Sequence, residues 1–399
     1  MALSLPCFIS ARRLLLTATF ALTALPALAG DATAPSIAPA PAPSKSVYDQ
    51  IWGMAKLYKN EDNPFLQEFA IVGRQQNEWY NFNALQGHDD DAWVNRRSRI
   101  GFKAKMFETI TLHAEADLNF DDPTPLYNKL TDAYIRWSPS KAFNLTVGKQ
   151  GVKFTLDGAT SSTALITIDR SAIGTNFWFP EEYIPGVSIN GEVRNWIYGV
   201  GYFSSGTASP EFGNFNAGNF GLVNLGYNFA KELGLDKAIL RADFLYQGID
   251  LGNTIGTPNP FTRNSEMVGS LNFLAEKGRF GLGTDLVASK GYLGQPDLFG
   301  AQLMPSYYLN QKKTFQGVLR YTYINSGGGN GIRLGRYENK IVSGRGDEYN
   351  EIYAGLNWYI YGHKLKIQTG MQYASMKDGA GDGGKYDGWG VVTGVRVSW

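Results

Sequence analysis

Hydrophobic and polar residues alternate with a period of two over most of the chain, the spacing at which a β-strand sends successive side chains to opposite faces. From Phe65 onward the alternation recurs in segments at about 66–82, 93–106, 110–120, 130–137, 143–150, 184–193, 196–204, 220–229, 238–250, 265–275, 279–289, 301–310, 315–325, 348–359, 364–374 and 389–399. Their connections alternate in length: Phe107–Thr109 is tight and 121–129 longer, SPSKA (138–142) is tight and 151–183 very long, Glu276-Lys277-Gly278 is short and 326–347 long. Sixteen segments with short turns at one end and long loops at the other predict an all-β fold, a 16-stranded antiparallel transmembrane β-barrel. A soluble β-sandwich also repeats short strands. It does not need a continuous apolar face on nearly every one of them. The last segment, WGVVTGVRVSW, places Trp389, Val391, Thr393, Val395, Val397 and Trp399 on one face and ends in an aromatic residue, a terminal signal of the kind read by the barrel-assembly machinery.

The segment NRRSRIGFKAKM (95–106) sharpens this picture. Arg97, Arg99, Lys103 and Lys105 fall on one face, and Ile100, Phe102, Ala104 and Met106 on the other. A lipid-facing Arg or Lys near the bilayer midplane costs about 2–4 kcal/mol, so the cationic face has to look into a water-filled lumen. By the same parity Arg96 and Ser98 are expected on the outer side near the loop end, with the Arg96 side chain reaching the headgroups. The next segment, TLHAEADLNF (111–120), turns His113, Glu115, Asp117 and Asn119 inward. If Met106 lies opposite Ile110, then Arg99 faces Asp117, Lys103 faces His113, and Glu115 falls opposite Gly101, leaving Arg97 and Lys105 with no acid across from them. Such a row is either neutralised by its acids, leaving a generic polar lining, or is a path for anions. Arg241, beside Asp243, and Arg396 also project inward by alternation. The stretch Gly151–Tyr183 has the length of a loop folded back into the lumen, carrying Lys153, Asp157, Asp169, Arg170 and the hydroxyls of Thr160, Ser161, Ser162 and Thr163.

The N-terminus addresses the compartment. MALSLPCFISARR, an apolar run and Ala27-Leu28-Ala29 predict a secretory signal peptide over residues 1–29. Residues 30–64 read as a Pro/Ala-rich periplasmic linker and a short helix within 47–60, where Val47, Ile51, Met54 and Leu57 recur at helical spacing; residues 65–399 form the barrel domain. Cys7 is the only cysteine and lies in the leader, so the remainder has no thiol for disulfides, metal or catalysis. Cleavage removes two arginines and no acid, turning a formal charge of +1 slightly negative, against a nucleic-acid binder. With 47 glycines and 54 aromatics among its 399 residues, the composition suits a barrel exported to the outer membrane of a Gram-negative-type bacterium, in contact with its lipid and lipopolysaccharide. GAGDGGKY (379–386) has phosphate-loop spacing without the following Ser/Thr, His88, His113 and His363 show no metal-ligand spacing, and Ser161 and Ser162 have no histidine to activate them. No cofactor, metal or catalytic residue is expected.

Several stretches together resemble the phosphate-selective porins O and P. Arg96, Arg97, Arg99 and Gly101 match an R-R-x-R-[IL]-G strand, and Asp132-Ala133-Tyr134 a D-A-Y strand. Val147-Gly148-Lys149 with Val152-Lys153-Phe154-Thr155 stands where the family has V-G-[QK] and K-x-P-F-S. Thr160-Ser161-Ser162 with Arg170, and Gly355-Leu356-Asn357-Trp358-Tyr359, match two further motifs. The resemblance implies a trimeric 16-stranded channel, selective for phosphate or other small anions, and carries the anion path to Arg97 and Arg99 and on to Lys149, Lys153 and Arg170. A general or sugar-permeable porin remains the alternative, and a closed barrel acting through its loops a third reading.

Overall fold

The computed structural model describes residues 46–85, 87–178, 182–205, 212–213, 218–247, 263–381 and 383–399. The predicted leader and the Pro/Ala-rich linker up to residue 45 lie outside the described residues. Helix α1 (Val47–Gly53) and strand β1 (Lys56–Lys59) precede β2 (Leu66–Ala84), β3 (His88–Met106), β4 (Ile110–Leu118), β5 (Tyr127–Ser140) and β6 (Phe143–Gly151). Two one-turn helices, α2 (Leu156–Ala159) and α3 (Ala172–Phe177), separate these from β7 (Tyr183–Val193), β8 (Trp196–Ser204) and β9 (Asn219–Asn228). After α4 (Ala230–Leu233) come β10 (Lys237–Gln247), β11 (Ser265–Lys277), β12 (Phe280–Gly291), β13 (Leu298–Tyr308) and β14 (Phe315–Ser326). The loop elements β15 (Ile332–Arg333), α5 (Glu338–Ile341) and β16 (Arg345–Gly346) lead to β17 (Glu348–Tyr361), β18 (Leu365–Lys377) and β19 (Tyr386–Ser398).

Strands β2–β14 and β17–β19 pair antiparallel in chain order, and β19 returns to β2 with Ser398 opposite Arg74 and Gly388 opposite Ala84. The sheet is therefore a closed barrel of the sixteen predicted strands, with no wall edge left to pair. Closure satisfies the backbone where lipid offers no hydrogen bonds. Outward positions are apolar on strand after strand, among them Ile135, Val187, Val223, Leu271, Leu286, Leu319 and Ile352, all of them exposed. Aromatic pairs mark both edges of this band. Trp137 with Phe143, Trp196 with Tyr227 and Phe315 with Trp358 sit beside the short turns, and Tyr373 with Trp389 beside a long loop.

The predicted N-terminal helix is shorter than its apolar spacing suggested. Ser46 caps it by accepting from Asp49 N while Asp49 accepts in return, and it ends at Gly53. Residues 56–59, assigned to the helix by that spacing, instead pair with Glu68–Ala70 of β2, where β2 runs past the end of β19 and would otherwise be an open edge. Trp52 Nε1 donates to Ser398 O at 2.6 Å and Tyr48 stacks on Tyr361, docking α1 at the end of the last hairpin.

Leu286 lies mid-strand on β12, half-exposed on the outer face opposite Leu271 and Ala301. Leu286→Arg is expected to destabilise the barrel by about 2–4 kcal/mol in equilibrium urea unfolding from lipid vesicles; an unchanged midpoint would place this face out of hydrocarbon.

Candidate permeation path

The segment 152–178, between β6 and β7, lies inside the barrel. Its partners are inward residues from widely separated strands. Thr155 N donates to Asp243 (2.9 Å), Leu156 N to Asp285 (2.7 Å) and Ile168 N to the Tyr353 hydroxyl (3.2 Å). In the other direction wall side chains donate to its carbonyls: Arg241 to Thr155 O (2.9 Å), Lys366 to Leu165 O (2.6 Å), Asn357 to Ile166 O (2.7 Å), Arg396 to Ile168 O (3.0 Å) and Arg320 to Asp169 O (2.9 Å). Within the loop Asp157 accepts from Ser171 N and Oγ, and Arg170 donates to Asp157 O and Thr160 O, pairs with Glu182 at 2.9 Å and lies over the Trp178 ring.

Apolar side chains complete the anchorage. Phe154, Ile173, Phe177 and Trp178 join Ile184, Phe203, Phe220, Leu245, Val287, Leu298, Ile324 and Tyr349 in one buried cluster. The inner wall of β7–β14 is thus apolar near the long loops, because loop side chains and not water cover it. Tyr353, which receives Ile168 N, lies across Gly355 and Gly370, where a Cβ would collide with its ring.

The cationic strand has the register that the alternation predicts: Met106 opposite Ile110, Lys103 opposite His113, Gly101 opposite Glu115 and Arg99 opposite Asp117. Arg99 lies 3.6 Å from Asp117 and 3.9 Å from Glu115, and donates to the Tyr183 hydroxyl at 2.6 Å. Glu115 also pairs with Arg74 of β2 at 3.2 Å, and Arg74 donates to Ser162 of the loop at 2.8 Å. Arg97 has no acid across the strand but meets Glu182, at the end of the loop, at 3.2 Å. Lys103 and Lys105 are exposed, and among the described residues neither forms an ion pair, although Glu68 of β2 lies across from Lys105.

Arg96 is a correction. Alternation put it on the outer face, but β3 has a bulge there: Gln76 pairs with Arg97 and Asn77 with Asn95, so Arg96 has no partner position. The extra residue lets Arg96 and Arg97 both turn inward, and Arg96 Nε lies 3.5 Å from Asp169 and 3.7 Å from Glu78. Ser98 keeps its outer position, donating to Gln75 and Asn95.

The other expected site residues separate. Arg241 pairs with Asp243 at 2.7 Å, and Arg396 with Glu78, so each is bound to an acid and to a loop carbonyl. Lys153 is exposed beside Arg136 and Arg241 in a second lumenal cavity. Lys149 is buried and shares the strand parity of outward Val147. Sequence reasoning missed Arg74, Glu78, Glu182, Lys366 and the Arg320–Glu351 pair (2.7 Å). The inward parity of Glu78 on β2 and of Arg320 on β14 was readable, but their partners were not. In the 379–386 stretch the amides of Gly381, Gly383 and Gly384 are taken by Asp378 at 2.9–3.0 Å. A phosphate would find them occupied.

Comparison with known proteins agrees with this geometry. The matching family is the phosphate-selective porins O and P. Its sequence profile matches residues 69–251, the part that holds β2–β10 and the inserted loop. No curated protein matches the chain. Among solved structures, the fold is shared with the outer membrane channel DcaP of Acinetobacter baumannii (TM-score 0.56, 10% identity, 86% of this chain and 100% of that one). It is also shared with a loop-L8 deletion mutant of OmpT, an outer membrane protein of Vibrio cholerae (0.55, 14%, 83% and 99%), and with Pseudomonas putida OprB (0.55, 11%, 83% and 94%). At such identities the likeness is one of fold. The family profile and the shared fold both support an outer-membrane porin.

Gly370→Ala is expected to push Tyr353 off its glycine seat, costing about 1–3 kcal/mol of stability, and to free Ile168 N. Single-channel conductance should rise as the loop loosens; an unchanged conductance and unfolding midpoint would mean that Tyr353 does not hold the loop.

Proposed function

We propose that this porin passes small anions by passive diffusion, with inorganic phosphate or similar oxyanions favoured, and that it does so as a homotrimer. The observation that supports anion preference is the inner face of β3, where Arg96, Arg97, Arg99, Lys103 and Lys105 run along one wall, the first three held by acids of the wall and loop and the last two exposed and, among the described residues, in no ion pair. Rows of fixed cations beside a water-filled path lower the energy of an anion and raise that of a cation. Glu115, Asp117 and Glu182 hold the arginines in position without matching every positive charge. The signal peptide, cleaved after Ala29, delivers the chain to the periplasm for assembly, and the terminal strand ending in Trp399 is its assembly signal.

Self-association draws on the outer face. Gln75, Asn77, Asn95 and Ser98 form a hydrogen-bonded polar patch there, with Gln75 donating to Asn77 at 2.8 Å and Asn95 donating to Asn77 at 2.7 Å. The patch lies level with Val395 and Val397 of β19, in the apolar band between Trp389 and Trp399. Hydrocarbon cannot satisfy amides, whereas a neighbouring copy can.

In a KCl gradient across a planar bilayer the reversal potential should show preference for chloride, and Lys103→Glu with Lys105→Glu should reduce or invert it. Preference for potassium in the unaltered protein would end the anion reading and favour a general or sugar-permeable porin, for which liposome swelling by sugars is the positive test. Asn77→Leu with Asn95→Leu should lower the temperature at which the oligomer dissociates in SDS, each lost interface hydrogen bond being worth about 0.5–2 kcal/mol. If the patch faces lipid, the same change should stabilise the protein.

A further inference from the structure

The long-loop mouth contains a second group of cations, away from β3. Arg333 and Arg345 lie opposite each other across the β15–β16 pair, and both donate to the same acceptor, Gln295 Oε1, at 3.4 Å each. The Gln295 amide is fixed in turn by donating to Gly331 O at 2.9 Å. Arg263, which leads into β11, is close enough to repel both, and its Nε is buried without a hydrogen-bond partner among the described residues. Burial and this mutual repulsion push the Arg263 and Arg333 guanidiniums below their usual range. Among the described residues none of the three forms an ion pair.

The place is built, not frayed. Arg333 N donates to Asn176 Oδ1 at 2.8 Å and Asn176 Nδ2 donates back to Arg333 O at 2.9 Å, tying β15 to α3 of the inserted loop. Arg263 and Arg333 line a cavity of about 440 Å³ whose walls include Phe82, Tyr353 and Val392, inward residues of β2, β17 and β19. Of the other arginines there, Arg96, Arg170 and Arg320 are paired with Asp169, Glu182 and Glu351, and Arg336 lies near Arg96 with Asp169 and Glu78 close by. Arg263, Arg333 and Arg345 thus gather just before β11 and in the loop between β14 and β17, around Gln295 of the loop before β13.

We propose that Arg263, Arg333 and Arg345 form a binding site for a compact polyanion, a diffusing solute with two or more carboxylate or phosphate groups, at the outer mouth of the channel. Guanidinium forks bind such oxyanion groups in bidentate fashion. A partner of this kind supplies an acceptor to the orphaned Arg263 Nε and relieves the repulsion among the three. An anion with a single charge satisfies only part of the site, so captured solutes rank by valence. The site stands apart from the β3 row and does not depend on that row selecting anions.

Citrate, added at the long-loop side of a planar bilayer, is the probe. It should block chloride current through the unaltered protein more strongly than acetate does, and more strongly from that side than from the other. Arg333→Gln with Arg345→Gln should raise the half-blocking concentration at least tenfold. Gln295→Glu, which removes no arginine but sets a carboxylate at the shared acceptor, should do the same and guards against a misfolded double variant. Lys103→Glu with Lys105→Glu should change the chloride preference and leave citrate block in place, so failure of the β3 reading and failure of this one are told apart. Absence of citrate block, or equal block in all variants, would overturn the proposal. So would finding lipopolysaccharide phosphate retained by the unaltered protein and lost from the double variant without any citrate block, which makes the site one for a lipid headgroup.

Discussion

A loop that enters a barrel brings backbone N–H and C=O groups into a space with too little water to solvate them, and each must find a partner there. This requirement organises the lumen. Acids on β10 and β12 (Asp243 and Asp285) take loop amides, while cations and amides on β14, β17, β18 and β19 (Arg320, Asn357, Lys366 and Arg396) supply loop carbonyls. Near residue 155 the loop gives amides to Asp243 and Asp285 and a carbonyl to Arg241, whereas from 165 to 169 it presents mainly carbonyls, which draw cations and amides. The apolar cluster around Phe154, Ile173 and Phe177 adds burial but cannot set direction, since hydrophobic contact is non-directional.

That requirement also divides the inward charges into two kinds. Arg170, Arg241 and Arg396 were expected to line the path, yet each is engaged by an acid and a loop carbonyl. Removing any of them would leave a buried acceptor without its donor, a loss of about 1–3 kcal/mol. Their effect on a passing ion cannot be separated from their effect on the shape of the path. Lys103 and Lys105 carry no such duty. Arg97 and Arg99 stand between these cases: each is buried and paired, Arg97 with Glu182 and Arg99 with Asp117 and Glu115 of β4, and both touch the point where the loop rejoins the wall, at Glu182 and Tyr183.

How much of this was legible follows from which interactions are local. The sixteen strands and the register of Met106 on Ile110 follow from alternation and one tight turn, because a slip by one residue would turn Arg97, Arg99, Lys103 and Lys105 into lipid. The bulge at Arg96 was not legible: an extra residue in one strand exists only relative to its neighbour, and the partner position on β2 is not written in β3. Strand β1 was hidden for the same reason, since LYK follows a helical apolar spacing and becomes a strand only because β2 outruns β19 there. The partners of Lys366 and Arg320 were beyond reach because the loop they hold lies some 150–200 residues away in the chain and has no period of its own.

The loop is held in two ways. Arg241, Arg320 and Arg396 each reach a loop carbonyl while a carboxylate fixes the guanidinium. Lys366 is fully buried, has no acid within ion-pair distance among the described residues, and is bound by Leu165 O and His363 Nδ1 while facing Arg396 across the β18–β19 ladder. Taking a charge out of water with no counter-charge beside it is costly, so the part this lysine plays in the anchorage is that of a hydrogen-bond donor. The guanidinium–carboxylate pairs are the stiffer points, because a charge-assisted bond is stronger than a neutral one and sets the direction of the side chain. Loop position is therefore fixed chiefly at residues 155, 168 and 169, and residue 165 is carried between them.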